Sequence, residues 1–141
     1  MSISAQGFKE FKTISELHAY LKHGTLNETK QWIRDNVPLE SYYQKSILTY
    51  LKRNYPCYGF AWKESQGTYT SANGIPDISF VYKGQFFGFE VKRPFIGKLS
   101  GIQKTTIEAL RQAGAVAEVV TYIDDVAEIL NHYNLQVDYD L

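Results

Sequence analysis

The sequence of 141 residues lacks several features that would place it in a class at once. Cys57 is its only cysteine, which excludes an internal disulfide and a zinc site built from cysteines. No apolar run approaches membrane-spanning length, and the start of the chain has no basic segment followed by an apolar one. We therefore expect a soluble, intracellular (cytoplasmic) protein.

An excess of charge of one sign is also missing. The chain has 15 basic and 15 acidic residues, a formal net charge of zero, which argues against a simple cationic nucleic-acid binder. The charges are unevenly placed, so a basic face opposite an acidic one is compatible with the neutral total. The basic residues are Lys45, Lys52 and Arg53 on a predicted helix, then Lys92, Arg93, Lys98, Lys104 and Arg111, and the acidic ones towards the end are Asp124, Asp125, Glu128, Asp138 and Asp140.

The residues that are present indicate a packed globule. Hydrophobic residues make up 44% of the chain and aromatic residues 15%, which is typical of one folded domain at this length. Tyrosine has an apolar ring and a polar tip, so tyrosines suit both cores and binding surfaces. Two interpretations therefore stay open for Tyr42, Tyr50, Tyr58 and Tyr69, which either line a nucleic-acid groove or simply pack.

Residues 74–92 form the most informative stretch. Two short runs rich in aromatic and β-branched residues, Ile78–Tyr82 and 86–91, flank a Lys83-Gly84 turn and predict a β-hairpin. Its charges lie at the strand ends, with Asp77 before the first strand and Glu90 and Lys92 at the close of the second. Side chains alternate along a strand, so Glu90 and Lys92 point the same way while Phe87, Phe89 and Val91 point into apolar packing.

Two carboxylates and a lysine at neighbouring strand ends suit metal-dependent hydrolysis of a phosphodiester. Mg²⁺ prefers oxygen ligands and keeps several waters, so one Asp, one Glu and a backbone carbonyl can hold it against a phosphate. A nearby lysine can orient the attacking water or stabilise the charged transition state. Glu-x-Lys is common as a solvated ion pair, but here it follows a run, Phe86-Phe-Gly-Phe89, that should be buried.

The rest of the chain predicts helices and two more strands around this hairpin. We expect helices at 16–23 (Ser15 as N-cap, Gly24 as end), 28–35 (capped by Asn27), 39–54, 101–113 and from Asp124 or Asp125 onwards, strands at 58–62 and 115–122, and a loop at 66–73. Ser100 and Gln103 match a capping box, and Ile102, Thr106, Leu110 and Ala113 are expected to face inward. A polar tail should end the chain. The order βββαβα after the first helices predicts a mixed α/β layer fold, with the last strand parallel to the Glu90 strand through a right-handed crossover.

Glu40 requires separate treatment. It lies on the same helical stripe as Tyr43, Ile47 and Leu51, which should be buried, and Gln44 lies there too. A carboxylate on a core-facing stripe suggests a functional role. A first-turn glutamate also interacts favourably with the helix dipole, and the sequence supports both interpretations equally.

Several spaced motifs carry a resemblance to a known family. Gly74-Ile-Pro-Asp-Ile78, Gly88-Phe-Glu-Val-Lys-Arg-Pro94, Gly97-Lys-Leu-Ser-Gly-Ile-Gln103 and Ala113-Gly-Ala115 with Val119-Val120 resemble the VRR-NUC domain of the PD-(D/E)XK nuclease superfamily. The match covers about residues 39–131 and implies a restriction-endonuclease-like core. We therefore expect a nuclease domain over residues 39–141, after an N-terminal helical extension over 1–38 that lies outside the resemblance. The resemblance also implies Mg²⁺ or Mn²⁺, no other small-molecule cofactor, and cleavage of DNA. Small stand-alone members are often phage-borne and resemble Holliday-junction resolvases, which implies a homodimer that selects branched, junction or single-stranded DNA.

The resemblance also assigns roles by position. It implies a catalytic set of Asp77, Glu90, Lys92 and Gln103, metal ligands from Glu40, Asp77, Glu90 and the carbonyl of Val91, and DNA contacts from Lys98, Ser100 and Lys104. The resemblance therefore favours the functional interpretation of Glu40 over the helix-dipole one. Gln103 should not easily serve as cap and site residue at once, Ser100 is also explained as a cap, and the two lysines are also explained as solvated surface charges.

A second function class stays open beside the nuclease. A binding module for nucleic acid or protein, such as a phage accessory factor, could keep the nuclease fold without turnover. The presence of Asp77, Glu90 and Lys92 together favours the enzyme, because a silent module has no need of all three.

Overall fold

The computed structural model describes residues 2–22, 24–64 and 74–138 and is organised on a four-stranded sheet. The strands are β1 (Gly59–Lys63), β2 (Ile78–Tyr82), β3 (Gln85–Val91) and β4 (Val116–Val120), in the spatial order β1-β2-β3-β4. The first two pairings are antiparallel and the third is parallel, with Glu90 opposite Val119. The predicted α/β fold with a central mixed sheet is confirmed, as is the parallel last strand.

The hairpin that joins β2 to β3 has the predicted turn. Lys83 and Gly84 both have positive φ angles, 45° and 85°, which is the backbone of a type I′ turn and suits the twist of the strands. The helices are a 3₁₀ turn (Gly7–Glu10), α1 (Ile14–Leu21), α2 (Leu26–Asn36), α3 (Glu40–Asn54), α4 (Gly101–Gln112) and α5 (Ile123–His132). None of the helices that the structure describes combines the length and apolar composition needed to cross a bilayer.

The first two helices begin earlier than predicted. Thr13 caps α1 and Thr25 caps α2, so Ser15 and Asn27 are both inside helices and the predicted caps were wrong. The reason is a second polar partner: the backbone amide of Glu28 donates to Thr25, and the Glu28 carboxylate accepts from the Thr25 amide. A threonine followed three residues later by glutamate satisfies two amides at once, which a lone serine or asparagine does not.

One face of the sheet carries the main core. The predicted stripe of α3 is confirmed, since Tyr43, Ile47 and Leu51 are buried in one cluster that also contains Phe87 and Phe89 of β3. Helix α5 adds Val126 and Leu130 to the same cluster. Full burial of such side chains stabilises a fold by roughly 1.5 to 3 kcal/mol each, so this layer fixes the strand ends that carry the charged residues.

Helix α4 faces the sheet through a different stripe from the one predicted. Ile107 is its buried residue, whereas Ile102 is 55% exposed and Ala113 is exposed. The prediction failed because α4 packs mainly against β4 and turns Gln103 towards the strand ends. In β4, Val116, Ala117 and Val120 are buried, whereas Val119 is 42% exposed at this sheet edge.

The described segment after α5, residues 133–138, is docked at Asp138 and is not a free polar tail. Asp138 is 4% exposed, and its carboxylate accepts from the backbone amides of Cys57 and Tyr58 at 3.0 and 3.1 Å. Its own amide donates to the carbonyl of Asn54. Asp138 therefore caps the connection between α3 and β1, and it contributes no free acidic charge. The predicted loop 66–73, Tyr69 and Asp140 lie outside the described residues.

Arg93 connects the N-terminal helices to the hairpin. Its guanidinium donates to the carbonyls of Ile33, Arg34, Val37 and Pro38 at the end of α2. A planar guanidinium with several donors suits a helix C-terminus, whose last carbonyls lack partners within the helix. Arg93 is thus committed to structure, although it belongs to the predicted basic cluster. The boundary at residue 38 between extension and nuclease domain stays a prediction.

Candidate active site

The charged residues of the hairpin meet where β2 begins and β3 ends. Asp77 directly precedes β2 and is 3% exposed, and Glu90 in β3 is 1% exposed. The backbone amide of Val91 donates to Asp77 Oδ2 at 2.9 Å, and Lys92 Nζ lies 3.5 Å from Glu90 Oε1. The predicted convergence of two carboxylates and a lysine is present in the structure.

A close contact between Gly88 of β3 and the ring of Pro76 brings the neighbouring residue, Asp77, close to β3. Gly88 lies beside the ring of Pro76, and a Cβ on Gly88 would come within 3.0 Å of the Pro76 Cγ. Any larger residue at position 88 would therefore push Pro76 away from the strand. Because Asp77 follows Pro76 directly, the glycine helps to set the distance between the two carboxylates.

Gln103 reaches the site from the first turn of α4 and has two roles. Its Nε2 donates to Glu90 Oε1 at 2.6 Å, while its Oε1 accepts from the backbone amide of Ser100 at 2.9 Å. The capping box is complete, since Ser100 Oγ accepts from the Gln103 amide. The expectation that one side chain does not easily serve as cap and site residue was wrong. The amide oxygen of Gln103 accepts from the cap while its amide nitrogen donates to Glu90.

Glu40 and Gln44 face the site from α3. Gln44 Nε2 donates to Glu40 Oε1 at 3.3 Å, and Gln44 is 7% exposed. Partial burial raises the pKa of Glu40, the charge of Asp77 raises it further, and Lys92 lowers it, so all three groups share one electrostatic environment. Sequence reasoning left Gln44 out of the site, although its position four residues after Glu40 was the available signal.

The negative charge of the buried carboxylates is disfavoured in the folded protein. Burial and the charge of Asp77 raise the pKa of Glu90 to about 7, against the opposing effect of Lys92. Burial also raises the pKa of Asp77, while the Val91 amide and Lys92 lower it. Glu90 Oε2 is buried and has no hydrogen-bond partner among the described residues. A buried carboxylate oxygen without a partner is costly, and the site therefore favours a cation or a proton at this position.

The donor set fits a hard divalent cation that is completed by other oxygen atoms. Among residues 2–22, 24–64 and 74–138, no group of three or more His, Cys, Asp or Glu side chains could hold an ion by itself. Mg²⁺ is commonly bound through one or two carboxylates, with water and substrate phosphate supplying the remaining ligands. Asp77 and Glu90 fit this mode, whereas the ligand roles of Glu40 and the Val91 carbonyl stay predictions.

The residues predicted to contact DNA lie around the start of α4, close to Gln103 in sequence. Lys98 precedes α4 and Lys104 lies in its first turn, and both are exposed. Among the described residues, neither lysine side chain forms an ion pair or a hydrogen bond. Ser100 is engaged as the N-cap of α4. The contacts of these three residues with DNA stay predictions.

Comparing Gln103→Ala with Ser100→Ala should separate the two roles of the glutamine. Ser100→Ala removes a cap and should cost about 1 kcal/mol of unfolding free energy with little change in any hydrolytic rate. Gln103→Ala loses the reciprocal cap and also the bond that orients Glu90, so its rate should fall roughly tenfold or more. Urea denaturation and single-turnover kinetics measure the two effects. Equal rates in the two variants would show that Gln103 acts on the helix alone.

Comparisons with known proteins give a similar solved structure. No model of a protein family matches the chain, and no curated protein matches it. The solved structure is described as a "VRR_NUC domain" and is 26% identical, with a TM-score of 0.48. The similarity covers 66% of this chain and 91% of that one, so the chain is similar over about two thirds of its length to a VRR_NUC domain.

Proposed function

We propose that this protein is a metal-dependent endodeoxyribonuclease that hydrolyses phosphodiester bonds in DNA. The observation that carries the proposal is the Glu90 carboxylate. It is 1% exposed, one oxygen has no partner among the described residues, and Asp77 and Lys92 adjoin it. A purely structural acid would have both oxygens satisfied, because an unpaired buried carboxylate is costly.

The cluster suits the charge changes of phosphodiester hydrolysis. Water attacks phosphorus and loses a proton, the P–O bond to the leaving sugar oxygen breaks, and negative charge builds on the phosphate oxygens. A divalent cation on Asp77 and Glu90 would lower the pKa of a bound water and offset that charge. Val91 fixes Asp77 through its amide, and Gln103 holds Glu90 Oε1, so both carboxylates are oriented before substrate arrives.

Lys92 supplies the positive charge that the chain itself brings to the reaction. Its side chain is 14% exposed and lies on the same strand face as Glu90. An ammonium group held there can donate a hydrogen bond to the attacking water or to a phosphate oxygen as negative charge develops. Lys98 and Lys104 are the exposed cations that would hold neighbouring phosphates.

The finer parts of the proposal concern the form of DNA and the assembly. The motifs that resemble VRR-NUC domains support a homodimer that prefers branched, junction or single-stranded DNA, and a small phage-type member of that family. Sedimentation at micromolar concentration tests the assembly, and a monomer would remove the comparison with junction resolvases.

A substrate panel tests the activity. Purified protein is incubated with labelled duplex, single-stranded, four-way-junction and RNA substrates, in Mg²⁺, in Mn²⁺ and in chelator. We expect cleavage of DNA that depends on the metal and is strongest on branched or single-stranded DNA. Absence of metal-dependent cleavage on every substrate would overturn the enzyme and leave a binding module on the nuclease fold.

A further inference from the structure

The exposed side of α3 forms a groove that the proposed chemistry does not use. The groove has a volume of about 450 Å³ and combines two tyrosines, two cations and several small polar groups. Its lining residues are Tyr42, Lys45, Ser46, Thr49, Tyr50, Arg53, Asn54 and Ile123. All of them lie within the described residues, and the helical spacing puts the α3 residues Tyr42, Lys45 and Arg53 on the side of the helix away from Glu40 and Gln44.

Among the described residues, none forms an ion pair with the cations of this groove. Lys45 and Arg53 are exposed, and the structure records no ion pair or hydrogen bond for either side chain with the described residues. Glu40, at the start of α3, is the only acidic residue on that helix. Of the two acidic residues directly after Ile123, Asp124 pairs with Lys9 at 3.2 Å, and Asp125 accepts from the amides of Thr121 and Tyr122.

The aromatic part of the groove is exposed and held in place. Tyr42 is 52% exposed, and its ring packs edge to face on buried Tyr43 with centroids 5.7 Å apart. The hydroxyl of Tyr43 donates in turn to the carbonyl of Ala5 at 2.8 Å. Tyr42 therefore offers a ring whose orientation is supported from behind, which lowers the cost of stacking a flat ligand on it.

We propose that this groove binds one strand of nucleic acid. An exposed aromatic ring interleaved with unpaired cations is the pattern by which proteins hold a single strand, with bases stacked on rings and phosphates held by cations. Lys45 and Arg53 are eight residues apart, roughly 12 Å along the helix axis, about the length of three to four stacked nucleotides. The inference rests on the proposed nuclease function and names a surface outside the catalytic cluster that holds its substrate.

Binding measured without divalent metal tests the groove independently of cleavage. The probe is a labelled DNA single strand, followed by fluorescence anisotropy over a range of salt concentrations in chelator. Lys45→Ala with Arg53→Ala should reduce the slope of log affinity against log salt by about 1.4, at roughly 0.7 for each phosphate contact, and each single change should give half of that. Tyr42→Ala should weaken binding about tenfold, whereas Tyr42→Phe should bind as wild type.

Lys52→Ala is the matched control. Lys52 is an exposed cation on the same helix that does not line the groove, so its removal should change the slope much less. Unchanged melting temperatures, expected for exposed residues, would show that all variants fold. If the groove variants bind DNA as tightly as Lys52→Ala does, or if wild type binds no strand, the inference is overturned and a protein ligand becomes the better occupant.

The outcome for cleavage is separable from this result. If wild type cleaves DNA and the groove variants bind and cleave equally well, the proposed nuclease function stands and the proposed role of the groove is overturned. If wild type never cleaves DNA, but the groove variants bind the strand more weakly than wild type does, the proposed role of the groove stands and the proposed nuclease function is overturned.

Discussion

Replacing Lys92 by Met should reduce the single-turnover rate of metal-dependent DNA cleavage by at least about 10²- to 10³-fold. Methionine keeps much of the apolar length of the side chain and removes only its charge and donors, so packing around β3 should survive. The loss should appear in the rate at saturating DNA rather than in affinity. Lys92 is 14% exposed beside Glu90, where in the proposed mechanism it would meet the reacting phosphate, whereas the exposed cations would contact the rest of the strand.

Lys98→Met is the control for this change. It removes the same charge from an exposed position six residues later, and its cleavage rate at saturating DNA should fall no more than a few-fold. Quenched-flow or gel assays with enzyme in excess measure both rates. If Lys92→Met retained a third or more of the wild-type rate, Lys92 would be a counter-ion of Glu90 and not a participant in the reaction.

Much of the fold could be predicted because its signals lie within short segments of the sequence. The hairpin around Lys83-Gly84 combines alternating apolar residues with a turn of positive φ, and both signals lie within a few residues. The buried stripe of α3 is likewise set by spacing along one helix. Such features depend on neighbours in sequence, so no knowledge of the tertiary contacts is needed.

The partners of the candidate site were less predictable. Asp77, Glu90 and Lys92 could be grouped because they flank one hairpin, but the two bonds of Gln103 depend on how α4 lies against the strand ends. The packing of α4 also decided which of its apolar residues were buried. Arg93 is similar, since its acceptors lie more than fifty residues earlier at the end of α2. These contacts arise from tertiary packing, which periodicity and capping rules do not describe.

Replacing Glu90 by Gln should abolish metal-dependent cleavage and at the same time stabilise the metal-free protein. The substitution keeps the shape of the side chain and the oxygen that accepts from Gln103, but it removes a charge that is 1% exposed and lies close to Asp77. The new amide can donate to the Asp77 carboxylate in place of the unpartnered Oε2. Removal of a buried charge of this kind is often neutral or stabilising, whereas loss of a metal ligand is not tolerated in catalysis.

The pH dependence of stability gives this prediction its sign. Folding raises the pKa of Glu90 from 4.5 to about 7, so between these values the folded state binds more protons than the unfolded state. Unfolding free energy must then fall as pH rises through this window, by roughly 3 kcal/mol at 1.36 kcal/mol per unit. The destabilisation is absent below about pH 4.5 and complete above about pH 7. Glu90→Gln should lose most of this slope, while the raised pKa values of Asp77 and Glu40 leave a smaller slope of the same sign.

Urea denaturation in chelator at pH 5 and pH 8 measures the effect, with Glu108→Gln, an exposed position, as the control that should follow wild type. At pH 8 we expect the unfolding free energy of Glu90→Gln to exceed that of wild type by about 2 to 3 kcal/mol, and at pH 5 the excess should shrink to less than about 1 kcal/mol. Added Mg²⁺ or Mn²⁺ should then raise the melting temperature of wild type and leave that of Glu90→Gln almost unchanged, since a ligand stabilises only the state that binds it. A variant that is less stable than wild type at pH 8, and still gains stability from the metal, would show that Glu90 is a structural acid and that the cation, if one binds, is held elsewhere.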